Sequence, residues 1–379
     1  MRRQLNRQIR SAPAISYRKE ILMKKIIALL LACMMLLLCA CAPSTGGGIR
    51  DGSDDTAEAT NTPEPTPEAT PEPVYVNPLN GTILDEPYTG RVFASTVCNT
   101  PNAVPHISLN EADIVMEMFV NASIIRCLAL YSNIQDVEVF GSVRSTRLMF
   151  NEIVEHFDAI LIHSGAANFV INDYQSRGID NFNIDAWAVK NAGTSYRDKE
   201  YGREYEASLF GYGEGCYNYA AAQGMNLTQP ADKSYGLSFA DEGTPANGEA
   251  ASNISITFKY NGSSKLTEMK YDADLDKYVY WQYTQEMRDQ ITDEPECFTN
   301  VIIMNTDISL NGMYHTTEFT SGGDGWYACG GKLVPITWTC AGDYEPFVYY
   351  TADGEVLNLE RGNTYIAITP AGTSEVTWA

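Results

Sequence analysis

Two arginines at the start of a predicted helix, Arg144 and Arg147, have the residue type and the spacing that favour anion chemistry. Residues three positions apart share one face of a helix. A helix N-terminus has free N–H groups and a partial positive charge, which attract anions. Because two cations there oppose the helix dipole, their placement predicts that an anion or a carboxylate joins them. The alternative is internal ion pairing with Glu111, Asp113 or Glu117, since structural ion pairs and ligand sites use the same physics.

Two further side chains extend this candidate site. His163 ends a short apolar strand, and ligands commonly lie at the carboxyl ends of strands in α/β sheets. Arg126 belongs to a neighbouring predicted strand, so we expect an arginine-lined cleft for an anion or a carboxylate. The predicted ligand-binding residues are Arg126, Arg144, Ser145, Arg147, His163 and Glu117.

A hydrolase or transferase is the alternative use of the same residues. His163 would act as the base, with Ser145 or Ser164 as the nucleophile. The sequence has no G-x-S-x-G elbow, and no acidic residue is obviously placed to orient the histidine. Because that geometry is missing, binding is the preferred interpretation and no catalytic residue is assigned.

Metal and cofactor sites have little support in the sequence. The histidines form no H-E-x-x-H motif and the cysteines form no C-x-x-C motif. The series Asp272, Asp274 and Asp276 resembles the start of a calcium loop. It lacks the central glycine and has Tyr283 where the bidentate glutamate should fall, so a hairpin turn is predicted instead. We expect neither a metal nor a cofactor.

The charge of the chain excludes one class of partner. The 379 residues include 26 Lys+Arg and 48 Asp+Glu, which gives a formal net charge of −22. Nucleic-acid binders place basic side chains on phosphates, so this acidic protein is not expected to bind nucleic acid. A hydrophobic content of 44% also argues against global disorder.

The N-terminal segment predicts export and a lipid anchor. Residues 1–22 have no apolar periodicity and are interpreted as the product of a start codon assigned too early. Residues 23–40 have the form of a signal peptide, whose apolar run is too short to span a membrane. Leu38-Cys39-Ala40-Cys41 resembles the lipobox of bacterial lipoproteins, which implies cleavage before Cys41 and diacylation of its thiol. An ordinary secreted protein and an uncleaved anchor are the alternatives.

The rest of the chain predicts a tether followed by two domains of α+β class. Residues 41–76 are rich in Pro, Glu and Thr and are predicted to be a disordered tether. Residues 77–228 predict an α/β domain with helices on a mixed sheet, and residues 250–371 predict a mostly-β domain. The predicted strands cover 91–99, 112–119, 124–131, 158–163, 254–260, 278–283, 298–305, 333–339, 347–351 and 364–369, and the predicted helices cover 145–157 and 169–175.

Six cysteines remain beyond the predicted anchor, and their redox state is left open. An even number in an exported domain permits three disulfides, but six cysteines allow 15 connectivities. A turn at Gly330-Gly331 would place Cys329 opposite Lys332 and away from Cys340, and buried thiols are an equally good interpretation. The six are Cys98, Cys127, Cys216, Cys297, Cys329 and Cys340.

Several motifs occur along residues 77–371. They are Leu109-x-x-Ala112-Asp113-Ile114-Val115-x-Glu117, Gly141-x-Val143-Arg144-Ser145-x-Arg147, Asp158-Ala159, His163-x-Gly165, Lys332 to Trp338, and Arg361-Gly362-x-Thr364-Tyr365-Ile366. On these motifs the chain resembles the YerB-like lipoproteins of Gram-positive bacteria, a family of two adjoining domains of unknown function. Where the family usually has proline, alanine and arginine, this chain has Ser142, Thr146 and Val104, and the last change removes a positive group.

These observations together predict a lipid-anchored binding or accessory protein that acts near cell-wall synthesis. The resemblance implies a location on the outer face of the cytoplasmic membrane of a Gram-positive bacterium. The expected partners are the membrane, through lipidated Cys41, and a cell-wall fragment or an envelope protein. A scaffold that presents the β-rich domain to a membrane protein is a third interpretation, for which Tyr349 and Tyr350 would serve if exposed. Tyrosines at alternating strand positions are more often packed against a sheet neighbour.

Overall fold

In the computed structural model of the chain, the described residues are 74–199, 203–230 and 232–379. The predicted signal peptide, the lipidation residue Cys41 and the tether as far as residue 73 lie outside the described residues. No helix in the described ranges is both long enough and apolar enough to cross a membrane.

Short strands and four helices make up the described N-terminal half. The helices are α1 (Leu148–His156), α2 (Asn168–Ser176), α3 (Trp187–Val189) and α4 (Gly213–Ala222). The strands are β1 (Tyr75–Val76), β2 (Ile83–Leu84), β3 (Phe93–Cys98), β4 (Ile114–Asn121), β5 (Ile124–Tyr131), β6 (Phe140–Gly141), β7 (Ile160–His163), β8 (Asn181–Asn183), β9 (Ser195–Arg197) and β10 (Leu209–Gly211).

Strands dominate the C-terminal half. They are β11 (Ser238–Ala240), β12 (Glu249–Ala250), β13 (Asn253–Tyr260), β14 (Ser263–Asp272), β15 (Lys277–Gln282), β16 (Gln285–Glu286), β17 (Cys297–Phe298), β18 (Asn300–Thr306), β19 (Ile308–Asn311), β20 (Tyr314–Thr317), β21 (Gly323–Cys329), β22 (Lys332–Cys340), β23 (Phe347–Thr351), β24 (Asn358–Glu360), β25 (Thr364–Pro370) and β26 (Glu375–Trp378). The α+β class is confirmed, with helices on a mixed sheet in the first half and a mostly-β second half.

One large sheet contains strands from both halves of the chain. Its order is β12-β22-β21-β18-β25-β4-β5-β3-β7-β8. The halves meet where β25 pairs in parallel with β4, from Thr364 opposite Ile114 to Ile368 opposite Met118. A second, six-stranded sheet has the order β16-β15-β14-β13-β26, with β17 beside β15.

Two apolar cores cover the two faces of the large sheet. On one face Met116 and Leu128 pack in the same core as Phe150 and Ile153 of α1. On the other face, Val115 and Phe119 share a core with residues of the second sheet, among them Ile256 and Phe258 of β13. Because side chains alternate along a strand, β4 and β5 are buried on both sides and are apolar almost throughout.

Glu117 and Arg126 are the charged exceptions in these two central strands. Glu117 lies opposite Cys127 in the β4–β5 register, whereas Arg126 lies opposite Met118. Directly opposite residues share a face and successive residues alternate, so the two charges point to opposite faces of the sheet. The prediction that Glu117 lines the same site as Arg126 is therefore at odds with the register of the strands.

Two predicted turns are observed. Asp272 accepts hydrogen bonds from the backbone N–H groups of Asp274 and Leu275, in the turn that joins β14 to β15. Cys329 lies opposite Lys332 across the Gly330-Gly331 turn. All six cysteines of the described residues have free thiols, and only Cys297 among them is not fully buried.

Candidate functional site

The segment from Arg144 to Arg147 is extended rather than helical. The Arg144 N–H donates to Thr96 O (3.1 Å) at the end of β3, and Arg144 O accepts from the N–H of Ser164 (2.8 Å), just after β7. Helix α1 begins only at Leu148, after Arg147 at φ −140° and ψ 165°. The prediction that both arginines share a helical face is therefore wrong, because the backbone groups of the segment bond to strand ends instead of forming a helical turn.

Arg126 is a buried guanidinium group without a carboxylate partner. The residue is 3% exposed and forms no ion pair with any described side chain. Its Nη1 donates to Ser145 O (2.6 Å), while its Nε–H is buried and has no hydrogen-bond partner. Burial, followed by the charges of Arg147 and Arg144, lowers the pKa of Arg126 to about 9. Arg126 therefore lies close to both other arginines, in a region of excess positive charge.

Arg144 forms the one ion pair of this group. Its Nη2 lies 2.6 Å from Glu206 Oε2, and its Nη1 donates to the backbone oxygen of Glu206 (2.9 Å). The hydrogen bond from Arg144 lowers the pKa of Glu206, whose side chain is nevertheless 71% exposed. The Nε–H of Arg144 is buried without a partner, as in Arg126.

Arg147 is bound only by neutral groups. Its Nε donates to Asn121 Oδ1 (3.2 Å) and its Nη1 to Thr146 O (2.7 Å). The guanidinium carbon lies 5.7 Å from the ring centre of Tyr314, which contacts Phe169 edge-on at 4.7 Å. Burial lowers the pKa of Arg147. We call Arg126, Arg144 and Arg147 the arginine cluster. Counting described residues alone, three cations meet one carboxylate in it.

The three acidic residues named as alternative partners bind elsewhere. Asp113 accepts hydrogen bonds from Asn80 Nδ2 (2.5 Å) and the Ser132 N–H (2.6 Å). Glu111 accepts one from Ser108 Oγ (3.0 Å). Glu117 faces the opposite side of the sheet. Among the described residues, internal ion pairing in the cluster is therefore limited to Glu206, which the sequence pattern did not single out because it lies far along the chain, in the single helical turn Tyr205–Ala207.

His163 supports the backbone of the cluster segment. Its Nδ1 lies 3.1 Å from Gly165 O, which also accepts the Thr146 N–H, and its Nε2 lies 3.3 Å from Asn181 Oδ1. Burial lowers the pKa of His163, which favours the neutral ring. Ser145 Oγ donates to Ser164 O (2.8 Å) rather than to the imidazole. The contacts among the described residues therefore give no support to a histidine–serine nucleophile.

Glu117 lies at the centre of a buried polar network between the two sheets. It is 0% exposed and forms an ion pair with Lys265 of β14, whose side chain is 9% exposed. Thr267 Oγ1 (3.0 Å), Tyr280 Oη (3.2 Å), Tyr365 Oη and Asn99 Nδ2 (2.7 Å) also donate to its carboxylate. The sequence signal for this network was a single glutamate within an apolar strand, and its partners come from distant strands.

Two concave pockets lie away from the arginine cluster. One, of about 770 Å³, is lined by residues between Asn77 and Arg91 together with Ser132, Tyr217 and Thr228. The other, of about 460 Å³, lies between the β19–β20 hairpin and the loop after β25. No group of three or more His, Cys, Asp or Glu side chains within the described ranges is placed to hold a metal ion.

The fold defines an α+β protein in which a β-rich half extends the mixed sheet of an α/β half. Residues 79–226 match the family model described as "Protein of unknown function (DUF3048) N-terminal domain", and residues 255–366 match the model of the DUF3048 C-terminal domain. The chain therefore belongs to this family of YerB-like proteins, and the resemblance noted in the sequence is confirmed.

A comparison of sequences and a comparison of structures both support this assignment, and both match YerB of Bacillus subtilis. The chain is 26% identical over 297 residues to the Bacillus subtilis (strain 168) protein named "Putative lipoprotein YerB", covering 77% of this chain and 86% of that one. The crystal structure of the YerB protein from Bacillus subtilis is similar with a TM-score of 0.68 and 23% identity, covering 80% of this chain and 99% of that chain. The structural likeness extends over both halves of the fold.

Proposed function

We propose that this protein is a lipid-anchored component of the cell envelope that binds an anionic ligand through the arginine cluster. The observation that carries the proposal is the burial of Arg126 without a carboxylate partner in the part of the chain that the structure describes. Native proteins pair their buried charges, because an uncompensated one is strongly destabilising. A ligand carboxylate or phosphate would supply the missing negative charge. It would also accept hydrogen bonds from the Nε–H groups of Arg126 and Arg144, which have no described partner.

The position of the cluster in the sheet supports a binding role. Arg144 and its neighbours lie beside the carboxyl ends of β3 and β7, and Arg147 binds Asn121 at the carboxyl end of β4. Such edges of α/β sheets are common ligand sites. Against a chain of net charge −22, the excess of positive charge at this edge would also attract anions over a distance.

The first prediction tests anion binding directly. We expect the Arg144→Gln variant of the full chain, purified in detergent, to bind acetate and inorganic phosphate about tenfold more weakly. Losing a charge-assisted hydrogen bond costs about 1.5–3 kcal/mol. Titration calorimetry measures the affinity, and the arginine Nε–H signals in NMR spectra locate the bound anion.

A matched control is Arg288→Gln, which removes the same charge from a 43% exposed side chain just after β16. Its affinities should equal those of the unaltered protein. If neither anion binds the unaltered protein at millimolar concentration, or if both variants lose affinity equally, the cluster is not an anion site.

Anchoring through Cys41 is the second part of the proposal. The lipobox-like Leu38-Cys39-Ala40-Cys41 and the name of the Bacillus subtilis relative support it. Two acyl chains would hold the protein on the outer face of the cytoplasmic membrane of a Gram-positive bacterium, where cell-wall fragments and envelope proteins are the candidate partners. No nucleic-acid partner and no cofactor is proposed.

The second prediction concerns this anchor. We expect Cys41→Ser to abolish incorporation of labelled fatty acid and to release the mature protein from the membrane fraction, because serine has no thiol to form the thioether. Cys39→Ser serves as the control and should stay labelled and membrane-bound. Continued labelling of the Cys41→Ser protein would contradict the assignment.

A further inference from the structure

We infer that the arginine cluster takes a phosphoryl group with two negative charges, and that Glu206 is the internal carboxylate that competes with it. The inference rests on the proposed anion site and names its ligand class. A terminal phosphate monoester is the chemistry meant, whether the carrier is a free phosphate, a sugar or a lipid. Carboxylates and phosphodiesters, with one charge each, would bind more weakly.

The arginine cluster has more positive than negative charge among its described groups. The cluster has three guanidinium groups, and the carboxylate of Glu206, paired with Arg144, is the one that the described residues place against them. The charges that most affect Arg126 are those of Arg147 and Arg144, with smaller opposite contributions from Cys98 and Glu206. Once the Glu206 carboxylate has left Arg144, the described groups of the cluster carry three positive charges. A phosphate monoester carries about −1.5 to −2 at pH 7, so it compensates more of this charge than a singly charged carboxylate does.

The arginine cluster also has hydrogen-bond donors that no described acceptor satisfies. The Nε–H groups of Arg126 and Arg144 are buried and unpartnered, on two guanidinium groups that act on each other electrostatically. A carboxylate has two oxygens, whereas a phosphate monoester has three terminal oxygens that accept strong hydrogen bonds. A phosphoryl group that takes the place of Glu206 at Arg144 therefore offers one more acceptor oxygen to the donors of the cluster than a carboxylate does.

Glu206 already occupies the guanidinium group of Arg144. The Arg144 fork holds two oxygens of Glu206, Oε2 at 2.6 Å and the backbone O at 2.9 Å. The backbone of this turn is fixed by its neighbour Tyr205, whose oxygen accepts from Arg197 Nη1 (2.5 Å) and whose ring stacks on the same guanidinium at 3.7 Å. The Glu206 side chain is 71% exposed, so its carboxylate can leave the fork while the turn stays in place.

The experiment compares two anions of one shape and different charge. Methyl phosphate and methyl sulfate are titrated into the full chain in detergent at pH 8, where the phosphate has two charges and the sulfate has one. We expect methyl phosphate to bind at least tenfold more tightly. This preference should shrink as the pH falls through about 6, where the phosphate takes up a proton.

Variants at Glu206 test the competing carboxylate. Glu206→Gln should raise the affinity for methyl phosphate about fivefold, the upper end of what an exposed ion pair contributes. Glu204→Gln removes the same charge from an exposed neighbour that forms no ion pair with the cluster, and it should leave the affinity unchanged. An equal gain in both variants would overturn the role given to Glu206 and leave only a general effect of net charge.

The outcomes separate this inference from the proposed function. Equal affinity for the two anions overturns the phosphoryl inference but keeps the anion site, whereas no binding of either overturns both. Titrations with inorganic phosphate, glucose 1-phosphate and a short-chain phosphatidic acid then distinguish the carriers. The tightest of the three identifies the source of the phosphoryl group.

Discussion

Replacing Lys265 by methionine is expected to lower the free energy of unfolding by about 3–5 kcal/mol. Lys265 is the cation paired with Glu117, and the carboxylate is fully buried between the two sheets. Without the ammonium group, Glu117 must either stay charged in a low-dielectric interior or take up a proton. Both alternatives cost free energy in the folded state and neither costs any in the unfolded chain.

A second substitution separates loss of charge from loss of packing. Glu117→Gln in the Lys265→Met background removes the uncompensated charge and keeps a polar side chain for the hydroxyl groups of Tyr280 and Tyr365. The double variant should therefore recover part of the lost stability, a coupling that a double-mutant cycle measures. Urea denaturation followed by circular dichroism gives the four free energies.

The control for this cycle is Lys259→Met. Lys259 lies on the neighbouring strand β13 and pairs with Glu375, but the two side chains are 38% and 66% exposed. An exposed pair contributes at most about 1 kcal/mol. If Lys265→Met were as mild as Lys259→Met, the network would not be a stabilising ionic contact between the sheets.

The sequence predicted the elements of the fold better than their arrangement. The strand predicted over 124–131 coincides with β5, and that over 347–351 with β23. Both are short apolar runs bounded by turn residues, a signal that depends only on neighbouring residues. The pairing of β25 with β4 joins segments some 250 residues apart in the chain, and no local pattern specifies it.

For the candidate site too, the sequence predicted the residues better than their arrangement. The sequence singled out Arg126, Arg144 and Arg147, and the structure brings them together, although in an extended segment instead of on a helix. The sequence also contains the information that separates Glu117 from the site of Arg126. With β4 and β5 joined by a short turn at Asn121-Ala122-Ser123, the hairpin register puts Glu117 opposite Cys127, one residue out of step with Arg126. Alternation then places the two charges on opposite faces.

Glu206 could not have been found in this way. It lies 62 residues from Arg144 in the chain, in a single-turn helical segment at Tyr205–Ala207, and its spacing from the arginines carries no period. Arg126 lies on a strand that patterning predicts, and the three-residue spacing of Arg144 and Arg147 singled them out. The contribution of Glu206 depended on where its segment passes the sheet edge, which tertiary packing decides.

Replacing Arg126 by methionine is expected to abolish anion binding and, at the same time, to raise the free energy of unfolding by about 1–2 kcal/mol. Methionine is of similar length and needs no counter-charge. Replacing buried charges by apolar residues of similar volume often stabilises a protein by about 1–4 kcal/mol. The hydrogen bond to Ser145 O is lost as well, which offsets about 1 kcal/mol of the gain.

The matched comparison is Arg91→Met, a second arginine with a nearly buried side chain. Arg91 differs in being paired, with Asp158 at 3.0 Å and Asp180 at 2.6 Å. Its removal leaves two carboxylates without their cation, so Arg91→Met should destabilise the fold while Arg126→Met stabilises it. Urea denaturation gives both free energies, and titration with inorganic phosphate gives the binding. If both variants were destabilised alike, Arg126 would be a structural cation whose charge the fold already compensates, and the case for a ligand at the arginine cluster would lose its main support.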